Sequence, residues 1–252
     1  MLEPGVANPP EISVVLLCYR EGENIPKLVT EVEAEIQRLG VPYELVLVAN
    51  YLPRSNDKTP QIASKVAERN PRVKVVARPK AGMMGWDMQT GLEAATGRIL
   101  AVTDGDGQFP FSDIGTAYRE LRRRNLDLCQ TNRVKREDGW ARVVLSKVYN
   151  FVFQLLFPGT GLHDVNSKPK VMTREAYQSL RLTSTDWFID AEIVIQARRH
   201  GLRLGEIPSV FGKSEGRPSF VRPTAILEFV KNLFIARVQE TLDRSRRTSR
   251  RP

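Results

Sequence analysis

Ile99-Leu-Ala-Val-Thr-Asp104-Gly-Asp106-Gly-Gln108 decides how this chain is read. Its first five residues are apolar or β-branched and follow Gly97, a pattern that predicts a central strand. Side chains two apart in extended backbone project to the same side, so Asp104, Asp106 and Gln108 are expected to converge just past the strand's C-terminal end. Two carboxylates and an amide oxygen suit a hard cation, Mg²⁺ or Mn²⁺, and so small a ligand set leaves positions for phosphate oxygens and water. The carboxyl ends of strands in open α/β sheets are also where ligands bind. Gly105 and Gly107 fit the turn because glycine tolerates positive φ and close backbone approach. The plain alternative is a solvated acidic turn, since Asp-x-Asp is common; the strand in front and the glutamine behind favour the metal.

Working outward, apolar strand-like runs recur at 12–18, 43–48, 73–77 and 126–131. Helical patterns fill the gaps at 23–39, 59–69, 85–95 and 111–124. Strands alternating with long helices predict a Rossmann-like, mainly parallel sheet covered on both faces and built from right-handed crossovers. The second half is less regular. It shows an aromatic-rich helix at 141–157, the segment Asp164-Val-Asn-Ser-Lys-Pro-Lys170, a helix at 191–200, a strand at 203–207 and a closing helix at 224–242. Residues 1–11 read as a flexible leader, 12–242 as one domain and 243–252 as a basic, disordered tail.

A chain of 252 residues can build one large core, and 41% hydrophobic with 27% charged residues excludes disorder as the default. The net charge of +9 points to nucleic acid, an anionic membrane surface or phosphorylated ligands. Cys18 and Cys129 lie in apolar runs and read as buried thiols, without a disulfide framework or zinc spacing. The N-terminus lacks the basic and apolar regions of a signal peptide. No run approaches the roughly 18 apolar residues needed to span a bilayer. A cytoplasmic protein is expected. A nucleic-acid binder is the reading from another class; the arginine-rich tail suits it, but no base-stacking or groove-reading module accompanies that tail, so no nucleic acid is expected.

Ile12-Ser-Val-Val-Leu-Leu-Cys-Tyr-Arg-Glu21, Gly91-Leu-Glu-Ala-Ala-Thr-Gly-Arg-Ile-Leu100, Asp104-Gly-Asp-Gly-Gln-Phe-Pro110, Thr131-Asn-Arg133 and Ala191-Glu192 followed by Gly201-Leu-Arg-Leu-Gly-Glu-Ile-Pro208 together resemble a family-2 glycosyltransferase. Within that family the set is most similar to the dolichyl-phosphate mannose synthase group, across about residues 12–240. The resemblance implies a GT-A fold, a nucleotide-sugar donor, a divalent metal and a polyprenyl phosphate acceptor. It puts Tyr19 and Glu21 at the nucleotide, Asp104 at the donor, Asp106 and Gln108 at the metal, and Arg133, Lys213 and Arg217 at phosphate. Three departures stand out. The second strand is followed by Ala49-Asn50-Tyr51 where relatives have two aspartates, so Asn50 replaces an acidic base contact or that contact is lost. Asp164-Val-Asn-Ser167-Lys168-Pro-Lys170 stands where relatives have Asp-x-x-Ser-Gly-Phe, and the added lysines suit an anionic acceptor. The C-terminal membrane-spanning helices of some relatives have no counterpart, so membrane contact is expected to be peripheral.

Transfer from a sugar diphosphate builds positive charge at the anomeric carbon and negative charge on the leaving group. Arg133, ending the fifth strand, would serve that leaving group as a fixed cation, or is a surface arginine. A phosphate acceptor is already ionised and needs orientation more than deprotonation. A saccharide hydroxyl acceptor, as in cell-envelope polysaccharide synthesis, would need a base, and Asp190 or Glu192 is then the candidate; helix N-terminal stabilisation is the alternative for both. Lys168 and Lys170 flank Pro169 on what reads as a stiff loop able to grip a phosphate. The apolar residues Val144, Val148, Phe151 and Leu155, with Arg142 and Lys147 nearby, predict either an interfacial helix or ordinary core packing. A sugar nucleotidylyltransferase is the rival enzyme; it would carry a glycine-rich loop in place of Cys18-Tyr-Arg-Glu-Gly-Glu23.

Overall fold

The computed structural model describes residues 9–137, 139–212 and 225–248. Seven strands form one sheet: β1 (Ile12–Leu17), β2 (Tyr43–Val48), β3 (Val73–Val76), β4 (Ile99–Asp104), β5 (Leu128–Arg136), β6 (Lys170–Thr173) and β7 (Leu204–Phe211). Their spatial order is β3-β2-β1-β4-β6-β5-β7, parallel throughout except for β6, which runs against both neighbours. The fold class read from the sequence, a single α/β domain around a mainly parallel sheet, is the one observed.

Alternation along the strands sends their side chains into two cores. Ile12, Val14, Leu16, Leu45, Leu47 and Ala101 pack under α1 (Ile25–Gln37), α2 (Thr59–Arg69) and α4 (Ser112–Arg123). Val15, Val46, Val48, Leu100 and Val102 pack under α3 (Met84–Ala94), α6 (Arg174–Ser179) and α7 (Ile189–Arg199). Gly91 lets α3 press onto the sheet: a Cβ there would stand 2.4 Å from Val15 Cγ1 and 2.6 Å from Val48 Cγ2. A third cluster, Tyr149, Phe153, Phe157, Val194 and Leu233, joins α5 (Trp140–Leu156) and α8 (Ala225–Thr248) to the outer side of α7.

Three sequence readings are corrected here. β6 and α6 occupy a stretch read as loop and then left unassigned. β5 and β7 run further than expected, to Arg136 and Phe211. The last helix continues to Thr248, through positions read as the start of a disordered tail.

Glu44 ties the N-terminal ends of the strands together. Its Oε1 accepts from the Ser13 hydroxyl at 2.6 Å and from the Thr96 backbone N–H at 2.6 Å, while Oε2 meets Lys74 Nζ at 2.5 Å. Burial alone would push this carboxyl up, but Lys74 and the hydrogen bonds outweigh it and hold it below the usual range. Glu44→Ala leaves buried donors unmatched and is expected to cost about 3 kcal/mol, whereas Lys74→Ala, at a half-exposed partner, should cost under about 1 kcal/mol. Urea midpoints at constant m-value measure both. Equal losses would show that Glu44 acts only through its ion pair.

Candidate active site

The acidic turn grows from β4. Gly105 donates its N–H to the Leu17 carbonyl at 2.9 Å, and a Cβ there would meet that same oxygen at 2.9 Å, so only glycine lets the turn lie on β1. Gly107 adopts φ +71° and reverses the chain. Asp106 Oδ1 accepts the Gln108 backbone N–H at 3.0 Å, a local bond that braces the loop. Gln108 is held from the other side by the end of β7: its Nε2 donates to the Gly212 carbonyl at 3.1 Å, and its own carbonyl accepts the Gly212 N–H at 2.9 Å. Phe109 meets Phe211 edge-on at 4.7 Å between ring centroids.

Arg133 is no surface arginine. Its Nε and Nη2 grip Asp164 at 2.6 and 2.7 Å, and its guanidinium lies 5.3 Å from the centre of the Phe211 ring. This two-point pair fixes the cation near the β4–β7 end of the sheet. Burial would raise the Asp164 carboxyl, but Arg133 overrides it and holds it below its ordinary value.

Beside this pair lies a buried charge cluster that the sequence did not reveal. Lys168 Nζ is 2.9 Å from Asp190 Oδ2 and 3.7 Å from Asp104 Oδ2; Lys170 Nζ is 3.6 Å from Asp190 Oδ1. The Lys170 ammonium also donates to Gln130 Oε1, the Val165 carbonyl and the Ser167 carbonyl. Burial pushes Lys170 down to about 8, because most of its partners are neutral. Lys168 is equally buried, yet Asp104 and Asp190 outweigh desolvation and hold it above its ordinary value. Burial pushes the Asp104 carboxyl up against the pull of Lys168.

The lysines of the stiff loop expected to grip a phosphate are instead interior. Lys170 is the first residue of β6 and wholly buried, and Lys168 is only 3% exposed. Neither presents its ammonium to a ligand in solution. Ser167 is likewise internal, its hydroxyl 2.6 Å from that of Thr131. Asp190, read as a candidate base, is ion-paired. Glu192 clamps the loop before α7, accepting from the backbone N–H groups of Thr183 and Ser184.

Asn50 is interior too. Its amide donates to Asp87 and Thr90 at 2.9 Å each, and its oxygen accepts the Arg78 N–H at 2.8 Å, so its polar atoms are engaged inside the protein. Asp87 also pairs with Lys80, whose ammonium lies 4.3 Å from the centre of the Tyr19 ring. Lys80 and Asp87 went unnoticed in the sequence; their spacing of seven, at the start of a helix after the third strand, was the available signal. Glu21 is buried in the turn that follows β1. Lys213 and Arg217 lie outside the described residues.

A parallel sheet interrupted by one antiparallel strand, with an Asp-x-Asp turn at the carboxyl end of β4, is the GT-A arrangement. The chain belongs to glycosyl transferase family 2, whose family model matches residues 13–181. It is 25% identical over 221 residues to a dolichyl-phosphate beta-glucosyltransferase of Trichomonas vaginalis, covering 81% of this chain and 67% of that protein. It is 28% identical over 204 residues to the glycosyltransferase AglD of Haloferax volcanii, covering 79% of this chain but only 32% of that protein. The chain thus spans about a third of one relative's length and about two thirds of the other's. Among solved structures it resembles glucosyl-3-phosphoglycerate synthase from Mycobacterium tuberculosis in complex with Mn²⁺, UDP-glucose and phosphoglyceric acid. The TM-score is 0.68 at 18% identity, over 90% of this chain and 79% of that one.

Because Asp164 has its folded-state value depressed, its stabilising contribution is complete above the unfolded carboxylate value and is lost as pH falls through the folded one. The parent's unfolding free energy should therefore drop between about pH 4 and pH 2 more steeply than that of Asp164→Asn. Denaturant titrations across that range test it, and identical slopes would rule the pair out as a source of acid sensitivity.

Proposed function

We propose that this chain transfers a sugar from a nucleotide-sugar donor to a polyprenyl phosphate with the help of Mg²⁺ or Mn²⁺. The observation that carries this reading is the β4 turn, an exposed Asp106 and a braced Gln108 at the carboxyl end of the sheet, next to the immobilised Arg133. The donor set fits a hard cation: Asp106 offers a carboxylate, and the Gln108 Nε2 bond to Gly212 leaves the amide oxygen for a ligand role. Among the described residues no three His, Cys, Asp or Glu side chains group into a complete metal site, so donor phosphates would finish the shell. When bound, the cation supplies neutralisation of the leaving diphosphate. The Mn²⁺ and UDP-glucose of the resembling synthase support the donor class.

Arg133, with its rotamers fixed by Asp164 and Phe211, adds a positive charge that needs no reorganisation as the leaving group develops charge. Tyr19 and Glu21, in the turn that follows β1, remain the proposed nucleotide contacts, with Lys80 beside Tyr19, and Asp104 the proposed donor contact. Lys213 and Arg217 stay in the proposal as phosphate contacts on the strength of the resemblance alone.

For the acceptor, the dolichyl-phosphate relatives support a lipid phosphate. A saccharide hydroxyl would require a base, and the two candidate carboxylates are committed, Asp190 to lysine and Glu192 to backbone amides. The α5 helix supports a lipid surface. It turns Tyr149 and Phe153 inward and leaves Val144, Val148, Phe151 and Leu155 exposed, with Arg142 and Lys147 exposed alongside. Such a stripe suits a peripheral position on an anionic bilayer. Among the described residues no helix is long and apolar enough to cross a membrane.

Asp106→Asn should abolish most Mn²⁺-dependent binding of UDP-glucose or GDP-mannose and lower turnover about a hundredfold or more, with the melting temperature kept, as expected when a charged contact to a cation and leaving group is lost. Calorimetry with and without Mn²⁺ and a radiolabelled-donor assay read both effects. Parent-like turnover in this variant would sink the metal assignment.

A further inference from the structure

The charges around Asp104 balance. Asp104 and Asp190 face Lys168 and Lys170 in one chain of ion pairs, and Asp164 faces Arg133 in a separate pair. The members of this set are not equivalent. Arg133 is occupied by Asp164, and Lys170 divides its protons among one amide and two backbone carbonyls. Lys168 is the one that bridges two carboxylates, Asp104 on β4 and Asp190 on α7. Asp190 Oδ1 accepts no hydrogen bond, so Lys168 supplies the hydrogen bond that Asp190 accepts among the described residues. The ammonium is nearly sealed from solvent, with Met84 Sδ at 3.2 Å on the α3 side, while the Asp104 side chain beyond it keeps 27% of its surface open.

We propose that Lys168 is a positioning residue that sets acceptor specificity: by bridging Asp104 and Asp190 from inside the protein, it and Lys170 together keep the floor of the site free of net negative charge, so that an already ionised acceptor of the phosphate class can approach. The inference rests on the proposed transfer reaction and sharpens its acceptor side. An uncompensated carboxylate in the floor of the site repels a phosphate but barely affects water, because Coulomb energy scales with both charges and is weakly screened where solvent is excluded. The same pairing removes Asp190 from service as a general base.

A charge-balance cycle tests this. Parent, Lys168→Met, Asp190→Asn, the double variant and Lys168→Arg are assayed with UDP-glucose or GDP-mannose plus Mn²⁺, measuring transfer to undecaprenyl phosphate in detergent micelles and hydrolysis of the same donor by water. The transfer-to-hydrolysis ratio should fall about tenfold or more in Lys168→Met, return most of the way in the double variant, where the floor is neutral again, and stay near the parent's in Lys168→Arg. A residue that only packs would give losses that multiply in the double variant, or transfer and hydrolysis that fall in parallel; either result overturns the proposal. Should Lys168→Met fail to fold, the double variant decides: a near-parent ratio supports the proposal and a tenfold-reduced one overturns it. A parent that binds neither nucleotide sugar overturns the underlying transfer reaction instead, and a parent that transfers while the double variant does no better than the single overturns this inference alone.

Discussion

An ammonium group can leave water only if a carboxylate and hydrogen-bond acceptors replace the lost hydration. Lys168, Lys170 and Asp190 are all buried and share their charges in one cluster. Meeting that requirement orders much of the molecule. β6 must lie between β4 and β5, where Lys170 sits opposite Val102 on one side and Gln130 on the other. Helix α7 must begin where Asp190 reaches both lysines, and its apolar face, Ile189 and Ile193, then falls on the same core as Leu100 and Val102. The acidic turn of β4 and the arginine of β5 are brought to one end of the sheet as a result, although β6 keeps their strands from touching.

The parallel part of this architecture was legible because it follows from periodicity. Runs such as Val14–Leu16 and Leu45–Leu47 are buried on both faces, so they read as continuous apolar strands. β6 escaped for a physical reason. Its four residues, Lys-Val-Met-Thr, open on a charged side chain directly after Pro169, and a sequence offers no way to see that a lysine will find enough partners to be interior. The glycines of the Asp-x-Asp turn were readable in kind, one for close approach and one for positive φ. The partners of Asn50 were not, because Asp87 and Thr90 lie 37 and 40 residues away and only the packing of α3 brings them to it.

Charges near the turn differ in what they are free to do. Arg133 and Asp164 form a closed pair whose geometry is set before any ligand arrives, which is useful for stabilising charge that develops during a reaction. Asp106 is instead exposed, and its carboxylate accepts the backbone N–H of Gln108 in its own loop. The division between rigid, buried charges below and a solvent-exposed carboxylate above suits a site that must bind a highly charged donor and still release a charged product.

The insertion of β6 also bears on how the chain comes together as it is made. β2 lies beside both β1 and β3, with Tyr43 opposite Ile12 and Val73 opposite Leu45, and β4 closes the free edge of β1 as soon as it emerges, with Ile99 opposite Ile12. The other edge of β4, however, pairs Ile99 with Thr173 and Val102 with Lys170, so it waits for some seventy residues still to be synthesised. During that interval β4 is a bare, apolar edge of the kind that recruits other strands. Nascent chains paused between residues 104 and 170 should therefore be the species that depend most on chaperones, and the lysines that complete the sheet also end its exposure to aggregation.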